Sequence, residues 1–249
     1  MAVAEFGRWA LSAPAGQYVL AQEQAFYDQH AEDIFGYYAV QIGLPERQFL
    51  RQSRITHRLS LAPAGRVDVC AQSTMLPLDC QSMDLVVLPH GLEMTAHPHQ
   101  VLSEIHRVLV PDGKLLLTGF NPASLWGLPS QLGQPGLPPR QAMVGGLRVK
   151  DWLAFLGFEV VAWQFMVYVP PCRQERSLQR WRALERLGPR LWPKLGAVYG
   201  LHAVKRTPGV HPLKMAWRQA NAAQQAQPAP IKDEALLNKP NRQVNKQHE

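Results

Sequence analysis

The chain of 249 residues is 46% hydrophobic and 18% charged, which excludes a wholly disordered protein and allows one large or two small domains. Its three cysteines, Cys70, Cys80 and Cys172, form no C-x-x-C pair and exclude a disulfide framework and a zinc spacing; that usage points to a reducing, cytoplasmic setting. A formal net charge of +7 admits an anionic partner, while no secretory leader is expected and no apolar run approaches the ~18 residues of a membrane span.

In chain order, Leu20, Tyr27, Ala31 and Ile34 recur at helical spacing and predict a helix over Gln17–Phe35, stopped by Gly36. Residues 1–35 therefore read as an N-terminal helical extension and 36–206 as the main domain. Tyr37–Ile42 is a short β-prone run ended by Gly43, and Pro45 is placed to open a helix reaching about Leu50. His57–Leu61 and Val67–Cys70 are weaker strands. Met83–Leu88 is almost continuously apolar, as a strand buried on both faces requires. After the loop Pro89–Ala96, Pro98 opens a helix whose Val101, Leu102, Ile105, Val108 and Leu109 share a face. Pro111-Asp112-Gly113 is a turn, and Lys114–Thr118 is the next buried strand. Strand, helix and strand make a right-handed βαβ unit with parallel strands, the building block of an open sheet covered by helices on both faces.

Residues 120–147 hold Pro122, Pro129, Pro135, Pro138 and Pro139, and an insertion of this length reads as a lid or binding segment. Val149–Leu156 predicts a helix stopped by Gly157, Phe158–Val169 a strand, 172–195 a basic helical region and Ala197–Val204 a last strand. Much of the positive charge collects here, on Arg173, Arg176, Arg180, Arg182, Arg186, Arg190 and Lys194, with Lys205 and Arg206 following. A solvated helix face accounts for it, with a nucleic acid held over residues 173–194 as the alternative. Residues 207–249 are polar and predict a disordered tail. His90, Glu93, His97 and His99 have no zinc spacing, and neither a phosphate-binding G-x-x-x-x-G-K-[ST] loop nor a G-x-S-x-G elbow occurs.

The stretch Leu76-Pro77-Leu78-Asp79-Cys80-Gln81-Ser82-Met83-Asp84-Leu85-Val86-Val87 resembles the "LPF…SFD-apolar" signature of class I S-adenosylmethionine-dependent methyltransferases, particularly the type 11 group. Leu102–Leu115 is similar to that group's "hhxEhxRVLxPGGxhhhs" pattern, and Gly157–Val160 and the strand ending in Lys205-Arg206 resemble its sixth and seventh strands. The resemblance covers roughly Tyr37–Arg206. It implies an α/β fold of Rossmann-like methyltransferase type, with a mostly parallel seven-stranded sheet and helices on both faces. It also implies S-adenosylmethionine as cofactor and methyl transfer to an acceptor that the sequence does not identify.

In such sheets ligands bind outside the carboxyl ends of the strands. The resemblance places Gly43 at the first glycine of an acidic-x-Gly-x-Gly-x-Gly loop and Gln41 at its acidic position; Leu44 and Pro45 depart from the pattern. After Leu61, where a ribose-binding carboxylate belongs, the chain reads Ala62-Pro63-Ala64-Gly65. Gln72 falls at the adenine-binding position with Ser73 beside it, and Met75 and Leu76 either pack on the adenine or belong to the core. His90 and Gly91 fall beside the sulfonium. His90 is there the candidate to position a nucleophile or take a proton, its other reading being an ordinary hydrogen-bonded loop histidine. Asn121 either faces the substrate or turns the chain. The alternative function is a catalytically inactive methyltransferase-like module that binds RNA or another acidic partner through its basic surface.

Overall fold

The computed structural model describes residues 3–127, 142–171, 176, 180–181 and 183–206. Residues 128–141 of the Pro-rich insertion, much of the basic stretch from 172 to 182, and the tail 207–249 lie outside the described residues. Helices α1 (Val3–Ser12) and α2 (Pro14–Ala31) precede β1 (Tyr38–Ile42), β2 (His57–Ala62), β3 (Val69–Cys70) and β4 (Met83–Pro89). Then come α3 (Pro98–Val108), β5 (Leu109–Phe120), α4 (Gly146–Phe155), β6 (Phe158–Met166), α5 (Ala183–Leu191) and β7 (Val198–Lys205).

The seven strands form one sheet in the order β3-β2-β1-β4-β5-β7-β6. β1 to β5 pair in parallel, and β7 runs antiparallel between β5 and β6. Alternation along the strands divides the core in two. Leu85, Val87 and Leu116 point to one face, where Phe6, Ala10, Leu20, Phe26 and Tyr27 of α1 and α2 cover them. Val86, Leu88, Leu115 and Leu117 point to the other, against Val101, Leu102 and Ile105 of α3 and Val149 and Leu153 of α4. The first two helices therefore belong to the same hydrophobic core as the sheet.

The α3 motif is tied to the segment before β4. Arg107 donates from Nη1 to Leu78 O (2.9 Å) and from Nη2 to Leu76 O (2.8 Å). Glu104, on the same face one turn earlier, accepts from Arg107 Nε (3.0 Å) and from the Leu76 N–H (3.0 Å). The E-x-x-R spacing thus fastens the 76–78 crossing to the helix.

Four details differ from the sequence expectation. α1 precedes a helix that begins at Pro14 and ends at Ala31, short of Phe35, which is solvent-exposed. The expected helix from Pro45 is a series of turns, because the Gln41 amide binds the loop backbone in place of helical hydrogen bonds. β5 starts at Leu109, ahead of Pro111-Asp112-Gly113; the bend survives inside the strand as a positive φ at Asp112 and a register shift against β4. α4 begins at Gly146, three residues before Val149.

Candidate functional site

The order of the strands reverses between β1 and β4, and a crevice opens there at their carboxyl ends. A cleft of about 270 Å³ occupies it, lined by residues that follow β1, β2, β3 and β4. Ile42, Leu44, Leu61 and Met94 give it apolar walls, and Gln72, Ser73, Thr74 and Thr95 supply its polar side chains. Gly43 turns the chain at the end of β1 with φ +90°, a conformation that L side chains resist. Its N–H donates to Leu61 O at 2.8 Å, which leaves bare backbone along the cleft. Gly91 is needed for packing: a Cβ there would lie 2.2 Å from the buried Leu88 side chain.

Of the residues singled out in the sequence, the cleft brings together Gly43, Gln72, Ser73 and Gly91. Gln41 is not in its lining. Its buried amide donates from Nε2 to the carbonyls of Gly43 (3.2 Å), Leu44 (3.0 Å) and Arg47 (2.7 Å), while Oε1 accepts the Phe49 N–H (2.9 Å). Met75 points outward, 75% exposed, and Leu76 is buried in the α3-side core. Asn121 turns the chain: Nδ2 donates to Lys194 O (2.9 Å) and Gly196 O (3.0 Å), and Oδ1 accepts from Ala123 N–H (3.1 Å). Gln41, Leu76 and Asn121 are thus engaged in holding the fold.

His90 also lies away from the lining. It follows β4 with φ 51° and is completely buried, its ring 4.8 Å from Phe6 and 4.4 Å from Phe120. Nε2 meets Glu23 Oε1 of α2 at 2.6 Å, an ionic contact too bent for a good hydrogen bond, and Nδ1 meets Glu93 Oε2 at 3.3 Å. The other Glu93 oxygen accepts the Phe120 N–H. Burial by itself pushes the imidazolium pKa down, but the two carboxylates outweigh it and raise His90 to about 10. The ring is therefore a buried cation that ties α2 and the β4 and β5 ends together. Its partner Glu23 escaped the sequence reading. The signal was present: Glu23 falls on the stripe of Leu20 and Tyr27, where a charge is out of place unless paired.

The missing acids stay missing in space. Among the described residues no Asp or Glu lines the cleft, and Ala62 and Pro63 stand where the ribose carboxylate was expected. No group of three or more His, Cys, Asp or Glu among the described residues could hold a metal ion.

The family described as "Methyltransferase domain" matches residues 38–117, the span from β1 to within β5. YafS of Escherichia coli (strain K12), an uncharacterised protein, is 33% identical over 132 residues, 51% of this chain and 55% of that protein. Malonyl-[acyl-carrier protein] O-methyltransferase of Laribacter hongkongensis is 38% identical over 76 residues, 30% of this chain and 25% of that protein. The chain thus spans about half of the first relative and a quarter of the second. Among solved structures, a SAM-dependent methyltransferase from Archaeoglobus fulgidus superposes with TM-score 0.53 at 15% identity, covering 76% of this chain and 94% of that one. One from Thermotoga maritima gives TM-score 0.52 at 15% identity, covering 81% and 98%. The stretch 38–117 thus matches the methyltransferase-domain family, and the fold around it is shared with solved S-adenosylmethionine-dependent methyltransferases.

Proposed function

We propose that the chain is an S-adenosylmethionine-dependent methyltransferase whose cofactor lies in the cleft at the ends of β1 to β4. The observation that carries this reading is the cleft itself, which opens at the switch point of the sheet inside the matched methyltransferase domain. Its lining fits the cofactor. Ile42, Leu44, Leu61 and Met94 offer apolar surface to an adenine ring and a methylthio group. The Gln72 amide has an oxygen for the adenine amino group and Ser73 a hydroxyl beside it, while Gly43 and Gly91 bring backbone close to the ligand. When bound, the cofactor supplies an electrophilic methyl on its sulfonium. The protein's part is to hold that methyl in line with an acceptor and to exclude water, which accounts for much of the rate in such sites. His90 lies outside the lining, and on this reading it acts by fixing the segment after β4 from which Gly91 enters the cleft.

No described lining residue is a carboxylate, so the ribose hydroxyls would be left to neutral acceptors such as Ser73, Thr74 and Thr95. Free exposed thiols at Cys70 and Cys80 support a cytoplasmic location. No helix among the described residues is long and apolar enough to cross a membrane.

Thermal denaturation with S-adenosylmethionine and S-adenosylhomocysteine tests the reading. A ligand that binds only the native state adds RT ln(1+[L]/Kd) of stability, so the midpoint rises with concentration. No rise at millimolar concentrations of either compound overturns the proposal.

A further inference from the structure

A second and larger hollow, of about 690 Å³, lies between the 45–51 loop, strand β2 and the turn leading to β3. Among the described residues four guanidinium groups line it, from Arg47, Arg51, Arg58 and Arg66, against a single carboxylate, Asp68. Two of these charges are already partnered. Arg51 forms an ion pair with Asp28 of α2. Asp68 accepts from the Ser60 N–H (2.8 Å) and hydroxyl (2.7 Å).

Positive charge remains. Arg58 uses one Nη to donate to Leu50 O at 3.1 Å, which leaves the rest of its fork. Arg66 has no ion pair or hydrogen bond among the described residues. The Nε of Arg47 is buried with no acceptor, a costly state for a charged donor that an incoming ligand oxygen would relieve. Three guanidiniums without carboxylates thus share one concavity, and their planar donor pairs match phosphate oxygens two at a time.

We propose that this hollow binds a small phosphate-bearing molecule. A nucleic-acid backbone is the poorer fit, because it needs cations spaced along a track, whereas these arginines line one open hollow. A second copy of the chain would bring like charges together. The inference does not rest on the methyltransferase reading, since no residue of the hollow named here lines the cofactor cleft.

The experiment titrates inorganic pyrophosphate into the full chain without cofactor, by calorimetry and thermal denaturation, with sodium chloride at matched ionic strength as control. Saturable binding with a rise in the midpoint is expected. Arg66→Gln, at an exposed position where folding is not at risk, should weaken it several-fold. Arg47→Gln/Arg66→Gln, its fold checked by circular dichroism, should weaken it roughly tenfold or more. The proposal is overturned if pyrophosphate does no more than sodium chloride, or if Arg66→Gln and the double variant both bind as the parent does. It is equally overturned if citrate binds more tightly than pyrophosphate, or if a short single-stranded RNA binds where pyrophosphate does not.

Discussion

At the end of β4 the His90 imidazole, enclosed by Phe6 and Phe120, keeps its proton because Glu23 and Glu93 face it. Its pKa is about 10 in the folded chain, against roughly 6.5 in an unfolded one. A raised folded-state pKa contributes stability that is fully present below about 6.5 and is lost as pH rises through about 10. Urea denaturation across that window should therefore show falling stability, and Glu23→Gln should move the fall to lower pH. Removing one partner of a buried pair should also cost about 3–5 kcal/mol near neutrality; a variant as stable as the parent would show that the contact contributes nothing. The sequence left His90 two readings, a group beside the sulfonium or a hydrogen-bonded loop histidine, and hid its partners, because Phe6 and Glu23 lie far away in the chain. Gln41 makes the same point more sharply. Read against the family pattern it is an acid that lost its charge, yet its amide donates to three carbonyls, which a carboxylate cannot do. Gln41→Glu should lower stability by about 1–3 kcal/mol in chemical denaturation and should not improve cofactor binding.

The elements were legible where one stripe or one run decided them. The 3.6-residue spacing of Val101, Ile105 and Val108 gave α3, and the unbroken apolar run gave β4, because both depend on burial that neighbouring residues already encode. Around 45–50 the local signal, a proline able to start a helix, was overruled by a side chain outside the segment. Helix α3 also acts beyond its own span. Arg107 and Glu104 satisfy backbone groups at Leu76 and Leu78, so the E-x-x-R pair is a fastening between two crossings. Arg107→Ala should cost about 1–3 kcal/mol in denaturant titration, whereas alanine at the exposed Gln100 on the same helix should cost little.

For the whole molecule, the strand order places the ends of β1, β2, β3 and β4 around one crevice, whatever residues stand there. That is why the fold was readable from the β4–α3–β5 block while the site was not: membership in the cleft depends on which way each side chain leaves its strand end. Gly43, Gln72, Ser73 and Gly91 meet there, and Met75, three residues after Gln72, does not. Gly43→Glu should abolish S-adenosylhomocysteine binding in calorimetry, because it forces a side chain onto a φ of +90° and fills the cleft with an unpaired charge. Unchanged affinity would put the cofactor elsewhere. The amide of Gln41 finally couples two features of the loop. An acid in its place would lose the contacts to three carbonyls and set a charge beside them, so the side chain and the loop it holds can change only together.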